Sequence, residues 1–329
     1  MTPFVDATLI NGPLGDPGVL LDFRHGARAL LFDLGDTSPL SAKVLLRVSH
    51  VCVSHTHMDH FADFDRLLRV RLGRPAPLGL FGPPGMIAQV AARLASYTWN
   101  LLDETSADFS LTVTEVDHAG PVAISRFRAR TAFSREDVAT NPRPNALLLD
   151  EPDFTLSART LDHGIPSLAF AFHERMRVSV NTEELYKLEL VPGPWINAAK
   201  RAIRSGQAGD TLVDVGLGKI LPLGFLTNGA LRTGPGQKIA YVTDAADHAA
   251  NRARIVELAA GATQLFIEAT FSNEDRSLAA ARRHLTAGAA GELARLADAA
   301  AVVPMHLSAR YKDRPAAILE QVENAFRPA

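Results

Sequence analysis

Between residues 55 and 60 the chain reads His55-Thr56-His57-Met58-Asp59-His60, preceded by Ser54 and by the apolar run Val51-Cys52-Val53. Three imidazoles and a carboxylate inside six residues narrow the architecture sharply. Neutral imidazole nitrogen and carboxylate oxygen are the donors that borderline divalent ions such as zinc take up. In an extended backbone, side chains two positions apart point the same way, so His55 and His57 aim at one ion. Asp59 and His60 follow where the chain turns, and face a second. A solvated polar turn is the bland alternative, and the density of ligand-type residues outweighs it.

A loop alone does not complete a hydrolytic metal centre. Two zinc ions sharing a water take about seven protein ligands, one of them a bridging carboxylate, with a position left open for the nucleophile. Further ligand-type residues stand where apolar, strand-like runs end. The run 238–243 stops at Asp244, and 301–305 stops at His306. The alternating stretch 154–161 leads into Asp162-His163-Gly164, and 29–32 ends on Asp33. In layered α/β folds, functional residues gather beyond the carboxyl ends of the strands. Taken singly, Asp244 could cap the helix that follows it, His163 could be a turn residue, and His306 could close a strand end by a hydrogen bond. Their repetition argues for one shared site. His25, His50, His118, His173 and His248 stand in no comparable setting and read as structural or surface residues.

The motif from His55 to His60 resembles the signature of the metallo-β-lactamase superfamily, and several other segments resemble its ribonuclease Z branch. They are Leu30-Leu31-Phe32-Asp33-Leu34-Gly35-Asp36, Leu80-Phe81-Gly82-Pro83-Pro84-Gly85, Asp162-His163-Gly164-Ile165-Pro166-Ser167 and Val242-Thr243-Asp244. Near the end, Glu268-Ala269-Thr270-Phe271, His284-Leu285-Thr286 and Met305-His306-Leu307-Ser308-Ala309-Arg310-Tyr311 follow in the family's order. The likeness covers roughly residues 28 to 315. It implies an α/β fold, the four-layer αββα sandwich (α+β in some schemes), with a protruding arm. It implies two divalent ions, zinc first, with manganese or iron as alternatives. His55, His57 and His163 would hold one ion, Asp59, His60 and His306 the other, and Asp244 would bridge. Asp59 would orient or deprotonate the attacking water, and His284 would protonate the departing 3′ oxygen, a role suited to imidazole. Two departures stand out. Asn11-Gly12-Pro13-Leu14-Gly15-Asp16-Pro17-Gly18 replaces the family's opening glycine-rich loop, and Ile267 stands where the family carries His before Glu-Ala-Thr-Phe.

A net charge of -2 supplies no global basic field, so any RNA affinity must come from local patches. Alternation in 124–130 places Arg126, Arg128 and Arg130 on one face of a strand, either an RNA contact or an edge armoured against aggregation. From 190 to 209 there is no acidic residue, while Lys200, Arg201 and Arg204 occur together. The start of that stretch, Val191-Pro192-Gly193-Pro194-Trp195, resembles the Gly-Pro motif of the ribonuclease Z arm, which in that family grips tRNA. We expect a short basic helix over 198–203. The same centre serves phosphodiesters, thioesters and lactones across the superfamily, so a small phosphodiester or ester remains the alternative to precursor tRNA, with a non-catalytic metal-bound protein behind both.

The 329 residues, 47% of them hydrophobic, suffice for one domain over 1–329, its first half about 1–150 and an arm-like insertion about 180–222. The stretch 289–300 reads as an amphipathic helix set off by Gly288 and Gly291. No charged-then-apolar leader opens the chain and no run of about 18 apolar residues could span a bilayer, so a cytoplasmic protein with no membrane partner is expected. The lone cysteine, Cys52, reads as a small buried hydrophobe. A homodimer is implied by the resemblance alone.

Overall fold

The computed structural model describes residues 3–24, 26–140 and 146–328, which leaves His25 outside the described residues. By backbone contacts the chain divides into two compact units. The larger holds Val5–Leu148, Ser157–Ala171 and Ile239–Ala329. The smaller holds Leu149–Leu156 and Phe172–Lys238 with the described residues before Val5.

An eight-stranded sheet takes its strands in sequence order from Val5–Leu9 to Arg135–Val138. Its centre, Ala29–Phe32, Val48–Cys52, Leu78–Gly82 and Ser110–Asp117, is parallel. A six-stranded sheet runs in the order Val302–Met305, Gln264–Glu268, Lys238–Val242, Pro166–Glu174, Phe154–Asp162 and Leu147–Asp150, the first three parallel. Period-2 alternation decides which side chains face which layer. Ala29 and Leu31 pack toward the helices Phe64–Arg71 and Met86–Ala95, while Phe32, one residue on, stacks on Phe170 at 5.5 Å and meets Tyr241 at 5.4 Å. Ala240 and Val242 face the opposite way from Tyr241, into a core shared with the helices Ala249–Ala259, Ala287–Leu296 and Pro315–Phe326. The layers are therefore helix, sheet, sheet, helix: the expected αββα sandwich. Cys52 is fully buried.

Three expectations shift in detail. The helix placed over 289–300 is Ala287–Leu296, started by the Thr286 hydroxyl accepting from the Ala289 amide. Gly288 and Gly291 lie inside it rather than beside it, and Gly291 is small because the backbone at Val322 and Phe326 on the neighbouring helix leaves no room for a Cβ. The strand carrying Arg126 and Arg128 ends at Arg128, while Arg130 falls in a 3-10 turn and donates to the Ser106 carbonyl. That strand is also not an edge, since Arg135–Val138 pairs beyond it and sets Glu136 opposite Arg126. A shared face of three free arginines is therefore absent.

The smaller unit has its own core of Val178, Leu185, Leu190, Trp195, Ala199 and Leu226 among others. Its basic helix is Trp195–Arg204, longer than the 198–203 expected, because Pro194 is well placed at a helix start. The Trp195 indole closes the entry by donating to the Val191 carbonyl.

Candidate metal centre

Three parallel strands of the larger unit end alike. Asp33 follows Ala29–Phe32, Asp244 follows Lys238–Val242 by one residue, and His306 follows Val302–Met305. All three have left-handed backbones, with φ of 60°, 46° and 57°. Such conformations cost non-glycine residues of order 1–3 kcal/mol, and they persist where surrounding contacts over-determine them. Here the left-handed residue breaks the strand's alternation and turns its side chain over the sheet ends.

The 55–60 segment arrives at the same place. The short helix Met58–Phe61 begins directly after His57, so Asp59 and His60 turn back toward His55. Leu34 donates to the His60 carbonyl and Leu168 to the Ser54 carbonyl, which ties the segment to both sheets. A Cβ at Gly35 would overlap the Asp59 carbonyl and the Asp16 side chain, so only glycine fits there.

The predicted ligands converge on Asp244. Its Oδ2 lies 3.5 Å from His55 Nε2, 3.6 Å from His60 Nε2 and 3.3 Å from His163 Nε2. Its Oδ1 is 3.0 Å from His306 Nδ1. Asp59 Oδ2 is 3.2 Å from His306 Nε2 and 3.4 Å from His60 Nε2. Donors about 2.0–2.1 Å from a tetrahedral zinc ion lie about 3.3 Å from one another, which is the spacing seen here. His55, His57, His163 and Asp244 form one group able to hold an ion, and Asp59, His60 and His306 form a second. A second observation fits the same use: His55 Nε2 and His60 Nε2 are buried and make no hydrogen bond. Orphaned buried nitrogens are costly unless something else satisfies them. Asp244, Glu268, His284 and His306 also cluster. Glu268, however, is committed to the Ala245 amide at 2.6 Å, the Thr270 hydroxyl at 2.5 Å and His284 Nδ1 at 2.8 Å.

The far nitrogens of His163 and His60 are fixed in the way that suits a metal-ligating histidine. His163 donates from Nδ1 to the Arg283 carbonyl at 2.9 Å. His60 donates from Nδ1 to Asp33 Oδ2 at 2.8 Å, where the Tyr241 and Ser54 hydroxyls also donate. Burial, reinforced by neighbouring His60, pushes His55 down to about 2, so it is neutral and ready to ligate. Burial opposes charge on His306 as well, but the Asp244 and Asp59 carboxylates override it and push the ring up to about 10. On Asp59, burial is outweighed by the hydrogen bond from His306 and the nearby His60 ring, and the carboxyl sits well below its usual range. Burial likewise opposes charge on His284, yet the Glu268 carboxylate holds its pKa above the ordinary histidine value. The site is thus an anionic cradle that already retains cationic groups.

A cleft of about 480 Å³ opens over these residues, lined by His57, Asp59, His163, Asp244, His284 and His306. His55 and His60 lie beneath, fully buried. Lys200, Arg201 and Arg204 belong to the smaller unit. There Arg204 is an internal anchor, 3.2 Å from Asp153 and 3.4 Å from Glu174, while Arg201 is exposed. Of the remaining described histidines, His118 and His173 are exposed, His50 stacks on Phe81 and His248 caps a helix. The sequence-level assignment lacked three groups. Glu268 ends the strand Gln264–Glu268, the same signal that marks Asp244. Asp16, from the loop that departs from the family pattern, lines the cleft. Arg282 does so too, and nothing in its Ala/Arg-rich surroundings distinguishes it.

The metallo-β-lactamase fold protein YhfI from Bacillus subtilis superposes with a TM-score of 0.54 at 16% identity, over 97% of this chain and 92% of that one. The short form of human tRNase Z superposes with 0.51 at 18%, over 94% and 92%. The fold is that of the metallo-β-lactamase proteins, and the donor set is one able to hold metal. No family model matches the chain. A ribonuclease Z from Deinococcus radiodurans is 34% identical over 333 residues, spanning 99% of this chain and 96% of its own. The chain belongs to the ribonuclease Z family and is a hydrolytic endoribonuclease of that fold.

Proposed function

We propose that this protein removes the 3′ trailer from precursor tRNA by endonucleolytic hydrolysis. The observation that carries it is the convergence of three imidazole Nε2 atoms on Asp244 Oδ2 within 3.6 Å, in a chain of the ribonuclease Z family. His55, His57, His163 and Asp244 would hold one divalent ion, and Asp59, His60 and His306, with Asp244 shared, the other; zinc is the first candidate for both. When bound, such ions polarise the phosphoryl oxygens and bring the pKa of water toward neutrality.

The chain's own groups supply the proton bookkeeping. Water oxygen bonds to phosphorus as the bond from phosphorus to the 3′ oxygen breaks. Asp59, at the cleft wall, is ionised and takes the water's proton. His284, its Nδ1 anchored on Glu268, offers Nε2 to the departing 3′ oxygen. The tRNA is left with a 3′ hydroxyl and the trailer with a 5′ phosphate. Lys200 and Arg201 on the smaller unit's helix contact the tRNA backbone, and Arg204 holds that helix in place. The family resemblance further supports a homodimer. Among the described residues no helix is long and apolar enough to cross a membrane, in keeping with action in the cytoplasm beside the RNA substrate.

The test sets a precursor tRNA with a 3′ trailer beside bis(p-nitrophenyl) phosphate. Cleavage at the discriminator base is the expected result. Turnover of the small diester alone defeats the tRNA assignment and favours a small phosphodiester, a reading that the internal commitment of Arg204 supports. Two bound metals with neither substrate turned over would point to thioesters, lactones or a non-catalytic role. Size-exclusion chromatography with light scattering decides the dimer.

A further inference from the structure

One Lys or Arg side chain, Arg282, stands among the residues that line the cleft. Neighbouring guanidinium groups are spent elsewhere: Arg283 faces Asp162 at 3.4 Å and Arg310 faces Asp275 at 3.2 Å. Arg282 is exposed, and its guanidinium has no ion pair or hydrogen bond among the described residues. It ends the helix Arg276–Arg282. Arg283 then takes a left-handed φ of 59° and delivers His284, whose ring lies 4.8 Å from that of His163 and 5.5 Å from that of His306. Arg282 therefore lines the cleft two residues before the imidazole assigned to the departing oxygen.

We propose that Arg282 is a second phosphate subsite, binding a phosphate of the RNA chain that flanks the one being cleaved. This rests on the phosphodiesterase assignment above. The scissile phosphate would lie over the ligand groups, where ions held by them would meet its charge. The planar fork of Arg282 suits a further phosphate, which guanidinium binds bidentately. Besides His284, the other ionisable side chain contributed to the cleft from outside the ligand set is Asp16, a carboxylate that already feels the like charges of Asp59 and Asp36. Phosphate is repelled there, and Arg282 is left as the favourable contact. The subsite therefore selects polynucleotide over small diesters, which lack a flanking phosphate.

Arg282→Ala and Arg282→Lys are compared with the unchanged protein, all metal-loaded. For Arg282→Ala, kcat/KM on precursor tRNA is expected to fall about tenfold, mainly through KM, the worth of one charge-assisted contact. Turnover of bis(p-nitrophenyl) phosphate stays within about twofold. Binding of a labelled 2′-O-methyl RNA oligomer, followed by anisotropy, loses about 0.7 from its slope of log Kd against log salt, one single-strand phosphate contact. Arg282→Lys keeps that slope and regains part of the affinity. Equal loss on both substrates, or an unchanged salt slope, overturns the subsite. The oligomer measurement needs no turnover, so failure of the wild-type protein on precursor tRNA would defeat the tRNA assignment while leaving Arg282 judged by its slope.

Discussion

The cluster of His and Asp residues able to hold metal and the basic helix are both marked by residue type, and their residues differ in what fixes them. In the cluster, Asp33, Asp244 and His306 are turned inward by left-handed strand ends, and the rings of His60, His163 and His284 are anchored by hydrogen bonds on their far nitrogens. On the helix Trp195–Arg204 the three cations do different work. Arg204, its side chain 9% exposed, meets Glu174, whose side chain is 1% exposed, while Arg201 is open to solvent. Residue type reads true where geometry is over-determined. Counted charge on one helix mixes anchors with contacts.

The sharpest way to break the comparison is to cut into the cluster. His306→Ala or Asp244→Ala should release metal and lower kcat/KM by about 10³-fold, roughly 4 kcal/mol of transition-state stabilisation. Metal analysis alongside kinetics checks it, and an undiminished rate in metal-depleted His306→Ala would sink the ligand assignment. Next comes His284→Ala, expected to cost about 10²–10⁴-fold on precursor tRNA. It should spare metal content and cost far less on bis(p-nitrophenyl) phosphate, whose leaving group needs no proton. Equal losses on the two substrates would show that His284 is not the acid.

Glu268→Gln sharpens the same point. The Glu268 carboxylate raises His284 against burial, with Asp244 helping and His306 opposing. A general acid must be protonated, so the rate falls as pH rises through its pKa. Without the carboxylate that alkaline limb moves to lower pH, and an unmoved limb would remove Glu268 from this role.

On the helix the expected effects are smaller and of two kinds. Arg204→Ala leaves buried Glu174 with one guanidinium, Arg177, beside the Gln237 amide, and should cost about 2–3 kcal/mol of stability. Thermal or denaturant unfolding reads this directly. Lys200→Ala with Arg201→Ala should leave stability and the small-diester rate unchanged while weakening tRNA cleavage severalfold. Deletion of 191–209 also removes Trp195, Ala199 and Arg204 from the smaller unit, so it should lower stability as well as weaken tRNA cleavage more strongly, and equal loss on both substrates would make the segment structural.

Much of this was legible in the sequence. Ligand-type residues at the ends of apolar runs marked His163, Asp244 and His306, because a strand's period and its stopping point are local properties. The 55–60 spacing gave a second ligand-bearing segment, and family-like segments gave the sandwich. Glu268 carries the same strand-end signal, and its motif alone does not mark it as a positioning group. Its partners His284 and Ala245 lie 16 and 23 residues away, and no local pattern announces them.

What the chain alone determined, then, was which residue types stand where strands stop. Tertiary structure decided which cations are free. Arg282 and Arg283 are neighbours of the same type, yet one faces Asp162 while the other is open to the cleft. Arg204 differs from Arg201 through Glu174 and Asp153, 30 and 51 residues away. Charge acts through distance and burial, and both are set by segments far apart in the chain.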